Sequence, residues 1–132
     1  MLVLTSFGKA LDSLKEALKE YQKDISNTFV RDSVIQRFEY TYELSIKMLK
    51  RYLEMTASSN DEIDLMSFND IIRKGNVKGL LNSNLEEWNE YREMRNITSH
   101  TYKEEKAIKV VGIVDKFLYD AEFLLNTLKS KC

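Results

Sequence analysis

Proline is absent from the 132 residues, and only four glycines occur, Gly8, Gly75, Gly79 and Gly112. Helices are therefore left uninterrupted, and tight β-turns have little to be built from. The single cysteine, Cys132, has no partner for an internal disulfide and suits a reducing compartment; so close to the C-terminus it is a poor nucleophile. No sign of charge is in excess: 20 Lys+Arg stand against 21 Asp+Glu, a formal −1, so any nucleic-acid contact has to be local. Long apolar runs are missing too. The opening "MLVLTSFGKALDS" offers only Leu2 to Leu4, without a basic leader or cleavage site, and nothing approaches the roughly 20 apolar residues of a membrane span. A cytoplasmic chain with no membrane contact is expected. There is no His/Cys cluster for zinc and no glycine-rich phosphate loop, so no metal or cofactor is read. The acidic runs "DEID" and "LEEW" suit solvated helix caps better than a magnesium site. At 15.5 kDa, residues 1–132 form one expected domain with one core.

What is present is helical periodicity. Phe7, Leu11, Leu14, Leu18, Tyr21 and Ile25 advance by steps of three and four, the stripe of a first amphipathic helix. A second is predicted from about Thr28 to Met55, with Val34, Phe38, Tyr42, Ser45, Leu49 and Tyr52 on one face and Tyr40, Leu44 and Met48 on another. "TASSNDE" reads as a polar connector, and "SFNDIIRKG" as a short helix capped by Ser67 and stopped at Gly75. Ser83 with Glu86, and Thr101 with Glu104, have capping-box spacing, which starts helices near Asn84 and at Tyr102. The first of these presents Leu85, Trp88 and Tyr91. The last carries Ala107, Val111, Val114, Leu118, Ala121, Leu125 and Leu128, widened by Val110, Ile113, Phe117 and Leu124. The fold class expected is all-α: an antiparallel up-down four-helix bundle with a short extra helix in the middle connection. The surplus stripes on the second and last helices point to a homodimer, unless the insert helix covers them through Phe68, Ile71 and Ile72.

The only histidine, His100, lies in "RNITSHTY", residues 95 to 102. Thr98, Ser99 and His100 are poor helix formers beside a predicted cap, which places His100 in a turn. Arg95 on the incoming helix and Tyr102 on the outgoing one can then converge with it, whereas in one unbroken helix Arg95 and His100 would stand about 140° apart. Imidazole gives and takes protons near neutral pH, and guanidinium forks onto phosphate oxygens. The pair suits RNA cleavage without a metal, in which a 2′-OH attacks the neighbouring phosphate. Acid and base would then come from the His100 residues of two subunits. The same residues also fit a purely structural use, with His100 bonding a helix end, Arg95 pairing with Glu90 or Glu93, and Tyr102 closing the core. The aromatics Phe38, Tyr40, Tyr42 and Tyr52 read as core and interface rather than a base-stacking platform.

"RNITSHTY" resembles the R-x4-H-x-Y signature of the HEPN family. "IQRFEYTYELSIKMLKRYLE", residues 35 to 54, is similar to the second-helix segment of its nucleotidyltransferase substrate-binding-like branch. Ser45 stands where that segment has a bulky aromatic, and the proline before the insert helix is missing. The resemblance implies a dimeric bundle working beside a separately encoded minimal nucleotidyltransferase. It implies that Arg95 and His100 cut RNA in a toxin, that Asn96 assists, and that Tyr102 accepts AMP from the partner, which silences the cut. It equally implies a second role, a non-catalytic subunit that binds a nucleotide substrate for the nucleotidyltransferase. The even charge balance favours the latter, since only Arg92, Arg95 and Lys103 stand ready to gather RNA; the intact signature favours the former.

Overall fold

The structure, a computed structural model, describes residues 2–132. Among them are six helices and no strand: α1 (Thr5–Lys23), α2 (Thr28–Thr56), α3 (Asn60–Asp64), α4 (Phe68–Val77), α5 (Leu85–Ile97) and α6 (Glu104–Lys131), with a 3₁₀ turn at Thr98–His100. None of these helices is long and apolar enough to cross a membrane.

α1 buries Phe7, Leu11, Leu14 and Leu18 as its stripe requires. Ile25 does not join them: the helix stops at Lys23, and Ile25 is 72% exposed. The cause is local. Asp24 accepts hydrogen bonds from the Ser26 amide and hydroxyl, and the Asn27 side chain accepts from the amides of Phe29 and Val30, opening α2. Short polar side chains thus give the backbone an alternative to another helical turn. α2 returns antiparallel along α1: Thr41 donates to the Ala10 carbonyl at 3.3 Å, and Arg37 to the Ser13 carbonyl at 2.9 Å. Ser45 is fully buried and donates to the Tyr42 carbonyl at 2.6 Å, so its hydroxyl is satisfied without a partner helix.

The middle connection is more helical than expected. Ser59 accepts from the Asp61 amide and starts α3 inside the polar connector, which buries Ile63. Ser67 caps α4 as predicted, accepting from the Asp70 amide at 3.2 Å. Gly75, however, is not the stop. It lies inside α4, where an added Cβ would sit 3.0 Å from Leu81 and 3.3 Å from Leu49, so close packing fixes it. The helix ends at Gly79, whose φ is +73°. The Gly79 amide donates to Asn76 and the Leu80 amide to Gly75, the paired bonds of a left-handed helix stop.

α6 packs on α1, α2 and α5, and α2 packs on α1, α5 and α6. Phe117 of α6 is the centre of the aromatic core, 5.0 Å from Phe38 and 5.3 Å from Tyr91 between ring centroids, both edge-on. Val110, Ile113, Phe117 and Leu124 are all buried within one chain. The widened stripe of α6 is therefore covered by the chain's own helices, whereas on the second face of α2 Met48 is buried, Leu44 is partly buried and Tyr40 stays exposed.

Candidate functional site

The site forms where α5 runs into the 3₁₀ turn. Trp88, Tyr91 and Met94 are buried, which fixes the rotation of α5 and turns the next residue, Arg95, toward α2. Tyr91 is anchored from behind. Its hydroxyl donates to the buried carboxylate of Asp120, which also accepts from Ser83 at 2.8 Å and from Asn82 at 3.4 Å. Burial, and then this bond to a carboxylate, hold the Tyr91 phenol far above its usual range. Ser83 is thereby diverted from the capping box expected of it; Asn84 is the N-cap, without a side-chain bond. Replacing Asp120 with alanine strands three donors, and should lower unfolding free energy by about 1–3 kcal/mol in urea titration.

Arg95 pairs with neither Glu90 nor Glu93. Its Nε donates to Glu43 Oε1 at 2.8 Å, its Nη2 binds the same oxygen, and its Nη1 stands 3.9 Å from Glu39 Oε2. Hydrogen bonding to Glu43 is the main reason its pKa rises above the usual arginine value. Glu39 also accepts from the buried Thr98 hydroxyl, which lies 2.8 Å from the Arg95 carbonyl. Two α2 carboxylates, one turn apart, thus hold both the guanidinium and the start of the 3₁₀ turn.

Beyond Thr98 the chain turns outward. Thr101 donates to the Thr98 carbonyl at 3.0 Å instead of capping α6, which begins at Glu104 and not at Tyr102. Arg31, mostly buried at the start of α2, reaches Glu104 at 3.6 Å and ties the two helix starts together. His100 lies in the turn, as the poor helix formers around it predict, and is exposed. Its ring centroid is 6.4 Å from that of Tyr102, with the planes at 66°. Tyr102 does not close the core: it is 80% exposed, on the rim of a hollow of about 350 Å³ lined also by Asp32, Ile35, Gln36, Glu39, Thr98 and Thr101. Asn96 is exposed on the last turn of α5. The structure therefore sets His100 and Tyr102 side by side in the open, and clamps Arg95 against α2.

Glu39, Glu43 and Thr98 escape sequence reasoning. A signal for the carboxylates existed: in "RFEYTYEL" they occupy i and i+4 positions off the apolar stripe, where solvated lysines would serve equally well. Among the described residues no three His, Cys, Asp or Glu side chains gather as metal ligands do.

This geometry can be compared with that of known proteins. The chain is 43% identical over 112 residues to a Haemophilus influenzae protein named as a probable ribonuclease HepT, covering 82% of this chain and 76% of the relative. It superposes with a TM-score of 0.90 and 37% identity on a solved H. influenzae protein described as revealing the fold of a substrate binding domain of a nucleotidyltransferase, over 96% of this chain and 99% of that one. A crystal structure from Thermus thermophilus follows at TM-score 0.74 and 32% identity, over 92% and 98%. Residues 2–130 match the family described as nucleotidyltransferase substrate binding protein like. With residues 2–130 matching the family model and the helical path shared with a solved relative over 96% of its length, the chain belongs to that nucleotidyltransferase substrate-binding, HEPN-like family.

Proposed function

We propose that this chain is the RNA-cutting toxin of a two-component system, acting without a metal through Arg95 and His100 and silenced by AMP transfer to Tyr102. The observation that carries the reading is the exposed His100–Tyr102 turn, which follows directly on the end of α5 where Glu43 holds the Arg95 guanidinium. The relative named as a probable ribonuclease supports it. In this reading one domain, a four-helix antiparallel bundle of α1, α2, α5 and α6, pairs with a second copy so that two His100 residues face one cleft. One imidazole takes the proton of the 2′-OH, whose oxygen attacks phosphorus. The other gives a proton to the departing 5′ oxygen, leaving a 2′,3′-cyclic phosphate. Arg95 meets the charge that grows on the phosphoryl oxygens. Its Nη1, only loosely faced by Glu39, is the edge free to do so. Asn96 assists from the last turn of α5.

Control follows from exposure. The partner, a separately encoded minimal nucleotidyltransferase, has open access to the Tyr102 phenol. The phenolic oxygen attacks the α-phosphorus of ATP, its proton is lost to a base, and pyrophosphate leaves. The adenylate adds bulk and negative charge beside His100 and keeps the RNA phosphate out. Tyr102→Phe should retain RNA cleavage within about twofold, because a phenol at the rim takes no part in proton transfer, yet should escape silencing by nucleotidyltransferase and ATP. Silencing that persists in this variant, followed by RNA cleavage and by mass of the adenylated chain, would remove the acceptor role.

The relative described as a substrate binding domain supports a second reading, a non-catalytic subunit holding a nucleotide for the partner enzyme. Nucleotide bound at Arg95 with no RNA cut by the purified chain would select it.

A further inference from the structure

Arg92 precedes Arg95 by one helical turn on α5 and is exposed, yet it pairs with no carboxylate among the described residues. Its guanidinium instead lies over the ring of Phe68, 4.6 Å from the centroid. Phe68 is the first residue of α4, where the Ser67 cap fixes the backbone, and it is packed on the core. Both arginines exert their charge on Tyr42: burial pushes that phenol up, while Arg92 and then Arg95 pull it back. The two arginines stand at i and i+3 of α5, positions whose side chains start about 5–6 Å apart on a helix. Arginine side chains that start so close can reach neighbouring phosphates of one RNA strand.

The orientations differ in a way that matters chemically. Arg95 has its Nε and Nη2 edge occupied by Glu43. Arg92 has its guanidinium carbon over an aromatic ring, and none of its N–H groups pairs with a carboxylate among the described residues, which leaves them available to an anion. The contact with the ring also restricts the side chain before any ligand arrives, so less freedom is lost on binding. We propose that Arg92 is a second phosphate-binding residue, which holds the RNA phosphate next to the one cut and is positioned for it by Phe68. This rests on the ribonuclease reading for its substrate. It extends the site from one phosphate to two and makes the insert helix part of it.

The test uses the full chain carrying His100→Ala, so that RNA stays intact, with a short oligouridylate and with uridylyl-uridine, which has a single phosphate. Adding Arg92→Ala should weaken the oligouridylate about tenfold at low salt. It should also flatten the slope of log affinity against log salt by about 0.7, the loss of one single-strand phosphate contact. Binding of uridylyl-uridine should not change. Arg92→Lys should restore the slope but only part of the affinity, because the fork is gone. Phe68→Leu should keep the slope and weaken binding about threefold, a smaller loss than that of the charge. An unchanged slope and affinity in Arg92→Ala would overturn the subsite while RNA recognition stands. A reduced slope in a chain that cuts no RNA with His100 intact would support the subsite and remove the ribonuclease reading. RNA held by neither chain would overturn both.

Discussion

Cells expressing the His100→Ala chain should keep growing where the native chain, at equal protein level, arrests them, and the purified variant should lose RNA cleavage by about 10²–10⁴-fold. The size follows from the role. General acid–base transfer is worth that much for one positioned group, and in a twofold cleft the substitution removes acid and base together. The interpretation is clean because of where His100 sits. It is exposed, in a 3₁₀ turn whose fixed points are Thr98 and Thr101, so nothing in the core depends on its ring. Stability should change by no more than about 0.5 kcal/mol, as for surface positions generally. Denaturation of both chains therefore separates chemistry from folding. Arrest by the variant equal to that by the native chain would end the ribonuclease reading and leave the nucleotide-binding subunit in its place.

The helices and the turn were legible in the sequence for one reason: their signals are local. A stripe at 3.6-residue spacing needs no knowledge of the partner, and α1, α2 and α6 follow it over most of their length. Where the helix ends depart from the local pattern, the cause is a polar group with two partners to choose between, or a glycine whose place only packing decides. Asp24, Ser26 and Asn27 close on one another and leave Ile25 outside α1. Ser83 and Thr101 have capping spacing, but one hydroxyl finds Asp120 across the molecule and the other the Thr98 carbonyl. Gly75 and Gly79 are alike as letters; only packing against Leu81 and Leu49 assigns the first to the helix interior and the second to the stop. The candidate site divides in the same way. The placement of His100 in a turn follows from Thr98 and Ser99, whereas the Arg95 clamp spans fifty-two residues of sequence, beyond any local pattern.

That clamp makes Arg95→Ala the second large expected effect, a fall in RNA cleavage of about 10²–10³-fold. A donor aimed at charge that develops during reaction contributes on that scale when it is already oriented, and Glu43 orients this one before RNA arrives. The effect on folding should be small by comparison. The Arg95 side chain is 31% exposed and its partners Glu39 and Glu43 are 40% and 53% exposed, so solvent screens the pairs and the loss should be about 0–1 kcal/mol. Arg95→Lys should not restore activity, since a point charge cannot hold Glu43 and face a phosphate together. Glu43→Gln separates the two things the clamp does. A carboxylate on the guanidinium competes with phosphate for its N–H groups, so neutralising it should tighten RNA binding; the same change loosens the orientation, so the catalytic rate should fall. Opposite movements of binding and rate in Glu43→Gln would identify the carboxylate as a positioning residue. A rate left at the native value would show that Arg95 reaches its working geometry without it.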